Sequence, residues 1–322
     1  MKKTLSLLLA LVLTFASCFA LASCGGSGEK YEVGIVQLTE HPALDAATEG
    51  FKQALIDELG ADNVVFDYQN AQNDSNTCST IAIQFVSSGV DLIMANATPA
   101  LQAVAAATNE IPILGTSVTE YGVALDLDDF DGTVGGNISG TSDLAPLDLQ
   151  AKMITDWCPD AKKVGLLYCS KEANSQYQVD VVKAELEKKG LTATLYPFTD
   201  SNDLAQVCTA AADESDVIYV PTDNTVAENT GIIDNICEPA KVPVIAGEEG
   251  ICRGCGIATL SISYYDIGYL TGKMAAKILK GEADISTMEI GYAETQTPKY
   301  NAQNCEALGI TPLEGYEAIS EE

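Results

Sequence analysis

Two rhythms of apolar residues alternate along this chain. Short runs of β-branched and aliphatic residues at 33–37, 64–68, 92–95 and 113–115 predict buried strands, and between them apolar positions recur every three or four residues. Leu44, Ala47, Phe51, Leu55 and Leu59 put one apolar face on a helix over 42–59, with Gly60 at its stop. Helices over 78–88, closed by Gly89, and over 100–108 follow the same rule, and 131–137 predicts a border segment. The pattern then starts again, with strands at 164–168, 192–196, 217–220 and 242–246 and helices at 150–158, 175–189, 204–213 and 224–237. A run at 257–263, a helix over 264–279 stopped by Gly281, and a last strand near 289–293 complete it. Such alternation is the signature of βαβ units, so the predicted class is α/β, with doubly wound parallel sheets of Rossmann type.

The second half echoes the first in residues as well as rhythm. Val33-Gly34-Ile35-Val36-Gln37 recurs as Val164-Gly165-Leu166-Leu167-Tyr168, and Ile111-Pro112-Ile113-Leu114-Gly115 as Val242-Pro243-Val244-Ile245-Ala246, both 131 residues on. Two like domains in series predict a cleft between them, where small ligands bind. In open parallel sheets the ligand meets the loops at the carboxyl ends of the strands, here 38–41, 97–99, 116–119, 170–175, 222–225 and 247–250.

These loops carry a polarised chemistry. Thr98, Ser117 and Thr119 offer hydroxyls beside helix N-termini, which suit a carboxylate. Asp223, Asn224 and Glu248 in the opposite half offer oxygens that suit an ammonium. Glu40, His41, Pro99, Val118, Asn174, Ser175 and Tyr265 complete the expected binding set. Each has a competing structural use. Asp223 and Asn224 are natural helix caps, Ser117 a turn residue, Glu40 a first-turn acid, His41 a helix-entry residue before Pro42, and Tyr264 and Tyr265 packing groups.

The N-terminus reads as an address. Lys2 and Lys3 precede an apolar run, and Leu21-Ala22-Ser23-Cys24-Gly25 resembles a bacterial lipobox, which predicts a signal peptide over 1–23, lipidation (palmitate) at Cys24 and a tether over 24–30. Without the signal, 15 basic side chains face 46 acidic ones, the wrong sign for nucleic acid. Eight cysteines remain after Cys24: Cys78, Cys158, Cys169, Cys208, Cys237, Cys252, Cys255 and Cys305; the sequence leaves disulfides and free thiols both open, and His41, the one histidine, is far in sequence from Cys252 and Cys255, which disfavours zinc. No Walker loop, nucleophile elbow or His-Glu-x-x-His is present, so no enzyme, cofactor or metal is expected; a carboxylate pair among Asp223, Glu248 and Glu249 is the one residual catalytic reading.

Several motifs occur together and in order. They are Gly34-Ile35-Val36-Gln37, His41-Pro42-Ala43-Leu44-Asp45, Asn70-Ala71-Gln72-Asn73-Asp74, Ala97-Thr98-Pro99-Ala100, Gly140-Thr141-Ser142-Asp143, Val220-Pro221-Thr222-Asp223-Asn224 and Ala246-Gly247-Glu248-Glu249. From about residue 31 to 312 the chain resembles the substrate-binding lipoproteins of the ABC-type tryptophan/tyrosine-like uptake group. The resemblance implies a type I periplasmic-binding-protein fold with two lobes and a three-segment hinge. It also implies an amino-acid ligand, aromatic favoured, with a permease and an ATPase as partners, a lipid anchor and a monomeric binder outside the cytoplasm. The expected lobes are 31–140 with 264–285 and 141–263 with 286–322. A sugar or nucleoside binder, or the sensor domain of a signalling system, is the alternative on the same fold.

Overall fold

The computed structural model describes residues 30–320; the expected signal peptide, Cys24 and nearly all of the expected tether lie outside the described residues. In the first half, strands β1 (Tyr31–Gln37), β2 (Val64–Asn70), β3 (Leu92–Asn96), β4 (Ile113–Val118) and β5 (Ile138–Ser142) alternate with helices α1 (Pro42–Leu59), α2 (Ser75–Ser88), α3 (Thr98–Ala107) and the short α4 (Tyr121–Leu125). After α5 (Leu147–Trp157) the second half runs β6 (Lys163–Cys169), α6 (Ala173–Lys188), β7 (Thr192–Phe198), α7 (Ser201–Glu214), β8 (Val217–Val220), α8 (Asn224–Glu228), α9 (Thr230–Ala240), β9 (Val244–Ala246), α10 (Glu249–Cys255) and β10 (Ala258–Ser261). The chain then returns through α11 (Tyr264–Leu279) and β11 (Gly291–Tyr292) and ends in β12 (Thr297–Tyr300), α12 (Ala302–Leu308) and β13 (Glu317–Ala318).

The duplication is visible in the strand order. One sheet runs β11-β5-β4-β3-β1-β2, wholly parallel; the other runs β13-β12-β10-β9-β8-β6-β7, parallel apart from the β10–β12 pair. Each therefore reverses direction at its first strand, between β1 and β3 in one lobe and β6 and β8 in the other. The loops after those strands diverge and leave a crevice. Apolar clusters cover both faces of each sheet, which is why the central strands are mainly apolar, with buried polar residues such as Gln37, Asn96 and Thr116 toward their carboxyl ends.

Three expectations need correction. The border segment is β5, at 138–142; residues 131–137 contain Gly132, Gly135 and Gly136 at positive φ and cannot continue a strand. The helix expected over 224–237 is two, because the Asn229 side chain folds back onto the Thr225 carbonyl (2.8 Å) and the chain leaves helical geometry there. The last crossing between lobes falls after Tyr292 instead of near residue 285, since Gly291 and Tyr292 still pair with Thr141 and Ser142 of the first sheet.

The first lobe is closed by α11, which arrives from the second and lies on α1. Their backbones nearly touch: a Cβ on Gly268 would stand 2.0 Å from the Ala47 carbonyl oxygen, and one on Gly50 2.1 Å from that of Tyr265. Gly268→Ala should therefore cost about 1–3 kcal/mol by overpacking and lower the thermal midpoint by roughly 2–12 °C. Gly281→Asn, at a left-handed position with open space around it, should leave the midpoint nearly unchanged. Equal melting of the two variants by circular dichroism would contradict this packing.

Candidate functional site

A small cavity lies where the two crevices face each other. His41 and Leu44 of the first helix turn, Ser117 and Thr119, Asp143, Asn174, Thr222, Asp223, Asn224, Ala227, Glu248 and Tyr264 line it. Among these lining residues none is a lysine or arginine. Burial pushes the His41 imidazole below its usual pKa and so favours its neutral form.

From the first lobe come hydroxyls. The β4–β5 pairing slips between Gly115 and Val118, and this bulge leaves Ser117 left-handed at φ 54°, a conformation unusual for serine. Its Oγ is buried without a hydrogen-bond partner. At the start of α3, Thr98 is buried with Oγ1 likewise unpartnered, and the N-cap Ala97 has no side chain to cap the helix. The end of α3 is thus left to an outside acceptor.

From the second lobe come carboxylates, but most of their oxygens are already used. Asp223 accepts from the Cys169 amide (2.7 Å) and the Val226 amide (2.9 Å). Glu248 accepts from the Gly250 amide (2.6 Å) and the Ile251 amide. Buried Glu172 takes the Asn224 and Thr225 amides (3.0 and 2.9 Å) with the Asn224 Nδ2 and Thr225 Oγ1. These acids cap helices, as the competing reading of Asp223 expects, and Asp223 and Glu248 also border the cavity.

Asp143, on the first crossing between lobes, differs from them. Tyr264 donates to its Oδ2 (2.9 Å), while Oδ1 is buried and unpartnered. Burial pushes Asp143 above the usual carboxylate range, Asp223 up to about 8 with Glu172 adding repulsion, and Glu248 up to about 7. A cation placed among them relieves the cost that raises all three.

Of the thirteen expected residues, His41, Ser117, Thr119, Asn174, Asp223, Asn224 and Glu248 line this cavity, and Asn174 contributes another unpartnered oxygen, Oδ1. Thr98 stands at the adjoining helix end and Pro99 on an outer rim cavity. The others fall elsewhere. Glu40 is exposed beside Tyr68 (3.5 Å), and Val118 packs into the core because the bulge gives the cleft to Ser117. Ser175 is fully buried behind Asn174 (3.3 Å). Tyr265 stacks on Tyr269 and lines a neighbouring cavity on the hinge side, one helix position away from Tyr264, which lines this one. Asp143 was missed, although Gly140-Thr141-Ser142-Asp143 is a motif of the resemblance, because a carboxylate at a crossing has no local signature.

The lobes also hold each other. Thr39 Oγ1 and Asn73 Nδ2 (3.0 Å) donate to Glu228 on α8, Asn73 also reaches Thr225 Oγ1 (3.2 Å), and His41 meets Asn224 (3.3 Å). All these bonds cross the cleft to α8. Glu228→Ala removes two of them at an exposed rim, worth about 1 kcal/mol in total. It should shift the closed-to-open ratio roughly fivefold toward open, seen as a larger radius of gyration by solution X-ray scattering; an unchanged radius would deny the bonds a role in closure.

Residues 32–316 match the family model described as ABC transporter substrate binding protein. A protein named Tyrosine-binding protein, from Clostridioides difficile (strain R20291), is 37% identical over 298 residues, covering 88% of this chain and 85% of the relative. The solved ABC domain in complex with L-Trp from Streptococcus pneumoniae is 32% identical and superposes with a TM-score of 0.85, covering 90% of this chain and 100% of that one. The ligand-free, open structure of a substrate binding protein with adhesive properties from Clostridium difficile is 38% identical, with coverages of 91% and 100%, yet gives 0.69. The fit to that ligand-free, open structure is thus poorer than the fit to the L-Trp complex, despite the higher identity.

Proposed function

This chain belongs to the ABC transporter substrate binding protein family, a family of binding proteins, not enzymes, and we propose that it captures a free amino acid between its lobes, with aromatic side chains preferred. One observation carries the reading. Ser117, Asp143 and Asn174 each bury an unpartnered polar atom at the same cavity, one from the first lobe, one from a crossing and one from the second. Buried polar atoms are costly unless satisfied, so together they specify a polar guest that touches both lobes. The acids around Asp143 call for an ammonium, and the hydroxyls of Ser117 and Thr98 with the uncapped α3 terminus call for a carboxylate. The names of the relatives supply the aromatic preference.

Binding then couples to motion. A guest held from both sides stabilises the closed arrangement, and closure is the form a permease and its ATPase would read. The lipobox at Cys24 supports a lipid-anchored monomer outside the cytoplasm.

Two measurements test the proposal. Calorimetric titration across the amino acids should find a binder among tyrosine and tryptophan, and Asp143→Asn should weaken it about 10–100-fold, the loss of a charge-assisted hydrogen bond of about 1.5–3 kcal/mol. No binding, or an unaffected variant, contradicts it.

The second is pH. Unfolded carboxyls ionise near pH 4, whereas Glu248 and Asp223 in the fold hold protons to about 7 and about 8. The folded protein therefore binds more protons across that window, and its stability falls as pH rises through it. An ammonium favours the ionised acids, so affinity should rise from about pH 6 to 8, with proton release visible as a buffer-dependent enthalpy. Affinity that falls over this range would contradict a cationic guest.

A further inference from the structure

A second cavity, of about 320 Å³, adjoins the first on its hinge side. Glu248 and Tyr264 line both, so these two side chains form the partition between them. The helix α1 serves both as well. His41 and Leu44 at its start face the inner cavity, while Ala43 and Ala46, roughly 100–160° away around the helix, face the hinge chamber.

The two voids differ in character. The inner one is about 10 Å³, whereas the chamber is large because many of its walls are small residues: Ala43, Ala46, Gly250, Ser261 and Ser263. Its charged groups are matched to one another. Glu249 accepts from Lys299 (2.7 Å), Ser261 (2.7 Å) and Arg253 (3.2 Å), which holds its carboxyl below the usual range despite partial burial. Beside these pairs the chamber offers a guest the aromatic and apolar surface of Tyr264, Tyr265 and Ile262, with Ser263, Thr295 and Thr297 at its edge. A chamber of this size accommodates an aromatic ring; the inner cavity, with room for about one water, does not.

We propose that the hinge chamber is the side-chain subsite of the ligand. The ammonium and carboxylate engage Asp143 and Ser117 at the inner cavity, which at about 10 Å³ has to widen by a small separation of the lobes to admit them, and the side chain passes Tyr264 into the chamber, where a ring packs against the tyrosines. Ala46 is then a specificity-determining residue, because its small side chain keeps the chamber open. This inference rests on the amino-acid reading of the inner cavity.

Ala46→Phe fills the chamber from a half-buried helix position, and Thr295→Trp fills it from the exposed third crossing, with little risk to folding. Calorimetry of both variants with L-tyrosine, L-tryptophan and L-alanine, alongside circular dichroism melts, tests the assignment. Aromatic affinities should fall at least tenfold while that for L-alanine stays within threefold. Unchanged aromatic affinities in folded variants, or an equal loss for L-alanine, overturn the subsite and leave the inner cavity's role intact. A wild-type protein that binds no amino acid overturns both.

Discussion

Carboxylates held out of water at one seam set the terms for this structure. Asp143, Glu172, Asp223 and Glu248 are all buried there, and no lysine or arginine lines the cavity bordered by Asp143, Asp223 and Glu248. The fold tolerates them by giving Glu172, Asp223 and Glu248 the backbone amides of helix starts, so that each acid also builds the wall in which it sits. Asp143 alone keeps a buried oxygen without a partner. That asymmetry separates scaffold from recognition: acids of one chemical type divide into caps and a contact according to whether backbone amides reach them.

The same division extends to the contact between the lobes. The second lobe spends its helix ends internally and presents α8 as a docking surface, while the first lobe leaves the end of α3 uncapped and keeps Ser117 in a left-handed turn. Neither lobe alone satisfies its polar groups. In the proposed function a zwitterion would do so from both sides at once, and the rim bonds from Thr39 and Asn73 to Glu228 add a contribution made by the protein alone.

Much of this was legible in the sequence. Helices α1 and α11 have the ranges their apolar spacing predicts, and the repeat of Val33–Gln37 at Val164–Tyr168 marks the strand from which each sheet reverses. Loops after strands brought seven of the thirteen expected residues to one cavity, because strand ends in a parallel sheet converge whatever their side chains. The remainder depends on contacts that no local pattern encodes. Asp143 acquires its place through Tyr264, 121 residues away, and Val118 yields to Ser117 through a one-strand bulge. The break at Asn229 turns on a single side chain folding back, and the late crossing after Tyr292 on a two-residue strand.

The central claim is that the inner cavity reads both charges of a free amino acid. It is tested most directly by comparing L-tyrosine with tyramine, which lacks the carboxylate, and with 3-(4-hydroxyphenyl)propionate, which lacks the ammonium, in one calorimetric series at pH 8. The account predicts that each truncated compound binds at least 100-fold more weakly than L-tyrosine, about 2.7 kcal/mol or more. Tyramine or the propionate binding as tightly as L-tyrosine would contradict it.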